Sequence, residues 1–302
     1  MNGLLVIDKP AGMTSHDVVN RLRKITGEKS IGHLGTLDPM ATGVLPMLLG
    51  KFTRLAQYFS SAEKSYTGAI RFGYATDTYD AQGQPSGPDS YFAQPDGPDL
   101  QPVLTLDHIR ETAARFNGES EQMPPPYSAK KIAGTPAYKL AREGKPVELK
   151  RARVVISSFE ITALTGPEAE FAMSISAGGY VRSVAHEMGQ LLGCGAHLSR
   201  LRRTQAGVFT IEEAHTLEEL EAAAGNSDAL ESLFVHPRSL LTEMPSVTGD
   251  PQALGRLRNG AQANLPEFSS ASMVKVFAGQ RELVGIAKRI AGTLFQPLVV
   301  LG

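Results

Sequence analysis

Residues 32–46 read Gly32-His33-Leu34-Gly35-Thr36-Leu37-Asp38-Pro39-Met40-Ala41-Thr42-Gly43-Val44-Leu45-Pro46. Three glycines in this stretch permit tight backbone curvature and close approach of a ligand. Asp38 precedes Pro39, which biases its backbone away from the helix and towards extended conformations. The composition predicts a structured loop over residues 32–50, with an apolar continuation. Local chemistry leaves three readings of Asp38 open. It is a carboxylate presented at the floor of a cleft, a turn aspartate bonded to its own backbone, or part of a phosphate-binding glycine loop. The third is the weakest, because no Gly-Lys-Ser/Thr follows and no dinucleotide fingerprint is present.

Working outward, residues 3–8 form a short apolar run that predicts a buried strand closed by the Asp8-Lys9-Pro10 turn. Thr14 to Asp17 offer helix caps, Val18, Val19, Leu22 and Ile25 follow at helical spacing, and Gly27 ends the pattern. Residues 65–74 alternate and carry aromatics, as a strand does. Residues 81–102 are dense in Gly, Pro, Asp and Ser and predict a surface loop or insertion. Further on, the pattern predicts a helix over 105–116, a rigid extended segment over 123–126, and strands over 147–164 and 169–177 with a turn at Gly166-Pro167. An amphipathic helix is predicted over 180–192, with Val181, Val184, Ala185 and Met188 on its apolar side. Thr216 and Glu219 make a capping box for another helix. Three short strands are expected over 273–278, 283–290 and 294–301, a small β appendage beginning near residue 250.

The chain has 302 residues, 42% of them hydrophobic and 20% charged, which excludes a disordered polypeptide and suggests about two domains. Net charge is -1, so a nucleic-acid site must be a local patch. Charge is indeed uneven. Residues 121–153 hold eight Lys/Arg against three Asp/Glu, whereas residues 212–250 hold one Lys/Arg against nine Asp/Glu. The one cysteine, Cys194, excludes an intrachain disulfide and a Cys-cluster metal site. No apolar run approaches the ~18 residues of a membrane span, and the first residues have no secretory pattern. A reduced, cytoplasmic compartment is the expectation.

The 32–46 stretch, together with Asp8-Lys9-Pro10-Ala11-Gly12-Met13-Thr14-Ser15, closely resembles the two N-terminal motifs of the TruB family of pseudouridine synthases. Lys64-Ser65-Tyr66, Tyr127-Ser128-Ala129-Lys130, Gly179-Tyr180-Val181-Arg182 and Leu201-Arg202-Arg203 continue the match in order, over roughly residues 3–210. The resemblance implies a mixed α+β chain with the pseudouridine-synthase catalytic fold: a large, mostly antiparallel sheet with a central cleft. Residues 1–248 would form that domain, with 81–102 as an insertion, and 249–302 a small PUA-like RNA-binding domain.

By the same resemblance Asp38 is the catalytic nucleophile, Arg182 its cationic partner, and Tyr66 the aromatic that stacks on the target base and takes the C5 proton. Tyr180 and Leu201 would line the uracil pocket. His33 would fill the space left by the flipped-out nucleotide. Lys9 is expected to support the site or face RNA, and Lys130 and Arg202 to contact RNA. The implied substrate is uridine-55 in the tRNA T-loop, flipped out at a cost of a few kcal/mol. The isomerisation needs no redox step or group donor, so no cofactor or metal is implied, nor an obligatory protein partner, and a monomer is expected. Two other readings remain: a guide-RNA-dependent enzyme of the dyskerin type, and a non-catalytic tRNA-binding or folding module.

Overall fold

Neighbouring residues of the first strand face two different cores, and that arrangement organises the chain. The computed structural model describes residues 1–90, 104–128, 131–132, 135–136 and 149–302. Its strands are β1 (Gly3–Lys9), β2 (Ile31–His33), β3 (Thr42–Leu49), β4 (Lys64–Phe72), β5 (Gly118–Gln122), β6 (Lys131–Ile132), β7 (Thr135–Pro136), β8 (Ala152–Thr165), β9 (Glu168–Ile175), β10 (Ala196–Ala206) and β11 (Phe209–Thr210). After these come β12 (Ser246–Thr248), β13 (Ala263–Asn264), β14 (Met273–Ala278), β15 (Glu282–Ala291) and β16 (Leu294–Val300). In β1, Leu5 and Ile7 pack towards a layer that includes the helices Ser15–Thr26 and Val181–Leu191, while Leu4 and Val6 pack with Phe277 and Ile286 of the second sheet and with Leu301 just after it. Burial on both faces is why this strand is apolar without alternation.

The large sheet runs β1-β3-β10-β4-β9-β8-β5, with β2 paired to β3 and β11 to β10. Its pairings are antiparallel except that of β3 with β10, where Thr42 and Gly43 lie beside Arg202 and Arg203. Across β10, Arg203 pairs with Tyr66 of β4, and Tyr66 pairs with Met173 of β9. One cross-strand row therefore brings Gly43, Arg203 and Tyr66 together. The second sheet runs β12-β14-β15-β16-β13 and carries the helix Pro251–Arg258, capped by Asp250. The architecture is mixed α+β with a large, mostly antiparallel sheet. No helix among the described residues is long and apolar enough to cross a membrane.

The helix expected after Thr14 spans Ser15–Thr26, with a Thr14/Asp17 capping box and a left-handed Gly27 at its end. The helix expected at 180–192 spans Val181–Leu191, and that expected at 105–116 spans Leu106–Ala114. The loop expected over residues 32–50 needs correction, because its last eight residues before Gly50 are β3. Gly43 and Pro46 suggest a loop on local propensity. Pairing with β1, β2 and β10 and almost complete burial of Val44 to Leu49 override that preference. Pro46 donates no ladder bond, yet its carbonyl accepts from Leu34 N at 2.9 Å. The strand expected from residue 147 begins at Ala152, and most of the 81–102 stretch lies outside the described residues.

Gly43 has φ +99°, and a Cβ there would lie 2.1 Å from the Arg203 carbonyl oxygen. The obstacle is backbone and cannot rotate away. Gly43→Ala is therefore expected to cost about 2–4 kcal/mol of stability. Chemical denaturation checks this, and a loss below ~1 kcal/mol would show that β3 and β10 can part without penalty.

Candidate active site

Asp38 sits in the loop between β2 and β3, and several bonds fix that loop. Ser15 Oγ accepts from Leu37 N at 2.8 Å and donates to Leu37 O at 3.1 Å. The Pro39 carbonyl accepts from Gly12 N at 2.8 Å, and Ala41 N closes a turn on Asp38 O at 3.0 Å. Lys9 lies beneath. Its ammonium donates to the Met13 carbonyl at 2.7 Å, to Pro10 at 2.9 Å and to Pro39 at 3.4 Å. Burial lowers the Lys9 pKa to about 8. The side chain has no solvent contact, so of its two expected roles the structure supports only the architectural one.

Arg182 enters from the first turn of Val181–Leu191. Its Nη2 donates to Asp38 Oδ1 at 2.9 Å, and its Nε lies 2.9 Å from Oδ2. The same guanidinium donates to the carbonyls of Thr78 and Tyr127, both at 3.0 Å, and stands 3.5 Å from Asp80 Oδ2. Arg182 and Asp80 are enclosed at 6% and 5% side-chain exposure, while Asp38 keeps 31% and faces the cleft. Burial pushes the Asp38 carboxyl above its ordinary value. The Arg182 charge opposes that push, and Asp80 adds to it. The helix start is held separately, since Tyr180 N donates to Gln122 Oε1 at 2.7 Å and Gln122 Nε2 returns a bond to Tyr180 O at 3.0 Å.

The cleft has a volume of about 450 Å³, and Asp38, Tyr66, Tyr180, Arg182, Leu201 and His33 all line it. Tyr66 and Leu201 come from the paired strands β4 and β10. Burial raises the Tyr180 phenol and lowers the His33 imidazole, the latter helped by Arg203. A concavity with one carboxylate, two guanidiniums and two phenols in its lining can hold a flat polar ring and supply a charged oxygen and a proton carrier to it.

Two expected binding residues are placed differently. Arg202 points away from the Asp38 cleft and pairs with Asp8 at 2.7 Å. Lys130 lies outside the described residues. Sequence reasoning missed Asp80 and Gln122. An arginine buried beside a carboxylate has donors left over, and that requirement pointed to a second acceptor such as the Thr76-Asp77-Thr78-Tyr79-Asp80 turn. Among the described residues no group of three or more His, Cys, Asp or Glu is arranged to hold a metal ion.

The family models and the similar sequences agree on one family. The chain matches the model for the TruB family pseudouridylate synthase N-terminal domain over residues 23–181 and that for the tRNA pseudouridylate synthase B C-terminal domain over 182–243. It is 41% identical to the tRNA pseudouridine synthase B of Solibacter usitatus (strain Ellin6076), with all of both chains covered. Identity to the protein of that name from Aquifex aeolicus (strain VF5) is 38%, covering 97% of this chain and 98% of the other. Among solved structures, a chain in an H/ACA RNP bound to a substrate RNA containing 2'-deoxyuridine shares the fold, with TM-score 0.68 at 23% identity over 99% of this chain and 85% of that one. A chain in a Cbf5-Nop10-Gar1 complex aligns with TM-score 0.66 at 26% identity, covering 96% and 79%.

The charges around Asp38 predict opposite effects from two substitutions. Arg182→Met removes the group that favours the carboxylate and raises the Asp38 pKa further. Asp80→Asn removes a like charge and lowers it. Carboxyl-carbon NMR titration reads both, and shifts of the same sign would show that Asp80 acts on Asp38 only by moving Arg182.

Proposed function

The chain belongs to the TruB family of pseudouridine synthases, and we propose that it isomerises uridine-55 in the T-loop of tRNA, with Asp38 as the nucleophile on a flipped-out uridine. As a tRNA pseudouridine synthase it is an intramolecular transferase. The N1–C1′ bond breaks with its electron pair left on N1, the uracil turns, C5 bonds to C1′, the C5 proton leaves, and N1 takes up a proton, so the composition is unchanged. The observation that carries the site assignment is the Arg182–Asp38 pair at the floor of the cleft, with the carboxylate the more open of the two. An ionised carboxylate held in a partly dry pocket serves as nucleophile towards the sugar or ring and as counter-charge to an electron-poor sugar. Protonated Asp38 does neither, so activity falls on the acid side. Because the folded pKa is raised, the fall begins above the usual carboxylate range.

Tyr66 offers a ring face to the base and a phenol to the C5 proton. In this reading Tyr180 and Leu201 bound the uracil and His33 fills the space left by the flipped-out nucleotide; that all three line the cleft supports it. Arg202 and Lys130, with the basic stretch around it, serve phosphate contacts that give register without base identity. We divide the chain into a catalytic part, 1–248, and a PUA-like RNA-binding part, 249–302. The second sheet and its helix support that division, with β12 reaching back across the boundary. The chain works on tRNA without a guide RNA or partner.

An unmodified tRNA transcript, incubated with the purified chain alone, tests this reading. Wild type should convert one T-loop uridine. Asp38→Asn should lose at least about 10³-fold in turnover while its tRNA Kd stays within about threefold. Normal turnover by the variant would remove Asp38 from the chemistry, and binding without conversion by wild type would favour a guide-dependent or non-catalytic protein.

A further inference from the structure

The cleft carries positive charge that the isomerisation does not use. Lys64, at the start of β4, and Arg203, of β10, line the same cavity as Asp38, and His33 joins them. A Cβ added at Gly35 would lie 3.5 Å from Arg203 Nη1 and 3.8 Å from Lys64 Cε, so both cationic side chains converge on one bare α-carbon. Arg203 donates through Nε to Val44 O at 2.6 Å and through Nη2 to Gly35 O at 3.0 Å. Lys64 gives a hydrogen bond to the Ala62 carbonyl, and its ammonium has three donors.

Among the described residues no carboxylate lies within ion-pair distance of Lys64 or Arg203. The adjacent Glu63 instead accepts from Ser157 Oγ at 2.7 Å. His33 Nδ1 is buried with no hydrogen-bond partner. Burial, and next the Arg203 charge, hold the Lys64 ammonium below its usual value. Crowded, partly desolvated cations without an acid partner are a cost to the free protein, and an anion seated among them removes it. Asp38, by contrast, is paired with Arg182 at 2.9 Å, and Asp80 and Lys9 also act on its charge. The cleft thus has an anionic group already paired at one place and unpaired cations at another.

We propose that Lys64 and Arg203 form an anion subsite that seats a backbone phosphodiester adjoining the flipped uridine, with Lys64 as a positioning residue. This rests on the reading that the cleft takes a uridine of RNA. A phosphate fixed here and a base fixed against Tyr66 hold the sugar between two points, which sets the approach of C1′ to Asp38. Arg203 also braces β3 and the Gly35 turn, so Lys64 is the residue to test.

The test is a mutant cycle on kcat/KM for a T-arm hairpin. The hairpin has natural linkages, or a single neutral methylphosphonate in place of one of the two phosphates flanking the target uridine. Lys64→Gln is expected to lower kcat/KM about tenfold on the natural hairpin, and Lys64→Arg to restore most of it. At one of the two linkages the neutral substitution should lower wild-type activity by a similar factor and leave Lys64→Gln with no further loss. If the losses multiply at both linkages, or if Lys64→Gln has no effect, the subsite is wrong even though wild type converts the hairpin. If wild type converts no hairpin, the underlying functional reading falls and takes the subsite with it.

Discussion

A guanidinium withdrawn from water has to find several acceptors, and Arg182, on a helix of its own, finds them on three other pieces of chain. Asp38 comes from the β2–β3 loop, Thr78 and Asp80 from the turn after β4, and Tyr127 from the segment after β5. Removing one partner of such a buried pair costs about 3–5 kcal/mol, because the other charge is left stranded. The same bonds that close the fold around the cleft therefore aim the Asp38 carboxylate. Position and ionisation are set together: burial favours the neutral acid, Arg182 favours the anion, and the residual exposure of Asp38 keeps one side of it open to a ligand.

The sheet supplies the other half of the site. Gly43, Arg203 and Tyr66 stand in one row because β10 lies between β3 and β4, parallel to one and antiparallel to the other. The missing side chain at Gly43 lets the Arg203 backbone come close, and the Arg203 side chain then reaches Gly35 in the loop ahead of Asp38. Tyr66 is presented on the cleft side with Leu201 near it. A loop, a helix terminus and two strands are thus fixed relative to one another by strand pairing and by enclosed side-chain hydrogen bonds rather than by surface ion pairs, which contribute little in water.

Much of this was legible in the sequence, and the omissions have physical causes. Helices with strong caps, such as Ser15–Thr26, came out at nearly the right length because Thr14, Asp17 and Gly27 act locally. The motif residues Asp38, Tyr66, Arg182, Tyr180, Leu201 and His33 do line one cleft. Strand β3 read as a loop because its glycine and proline advertise local preferences, whereas two of its three pairing partners, β1 and β10, lie in distant sequence. Lys9 and Arg202 looked alike as basic residues beside motifs, yet one is buried under three carbonyls and the other is paired with Asp8. Asp80 carried no periodicity or motif of its own, and only the unused donors of Arg182 reveal its purpose.

The central place of β10 has a bearing on how the chain matures. The ribosome delivers β3 and β4 long before residues 196–206, and these two strands meet each other only through the late arrival. Until then both offer open edges with apolar side chains, which invite pairing with other chains. Insertion of a strand between two waiting neighbours also closes large loops at once, a slow step by its contact order. Asp38 and Arg182, 144 residues apart, come together on the same side of that event. Catalytic competence is therefore a late product of synthesis, and a truncated chain ending before β10 would expose the very edges that the finished sheet conceals.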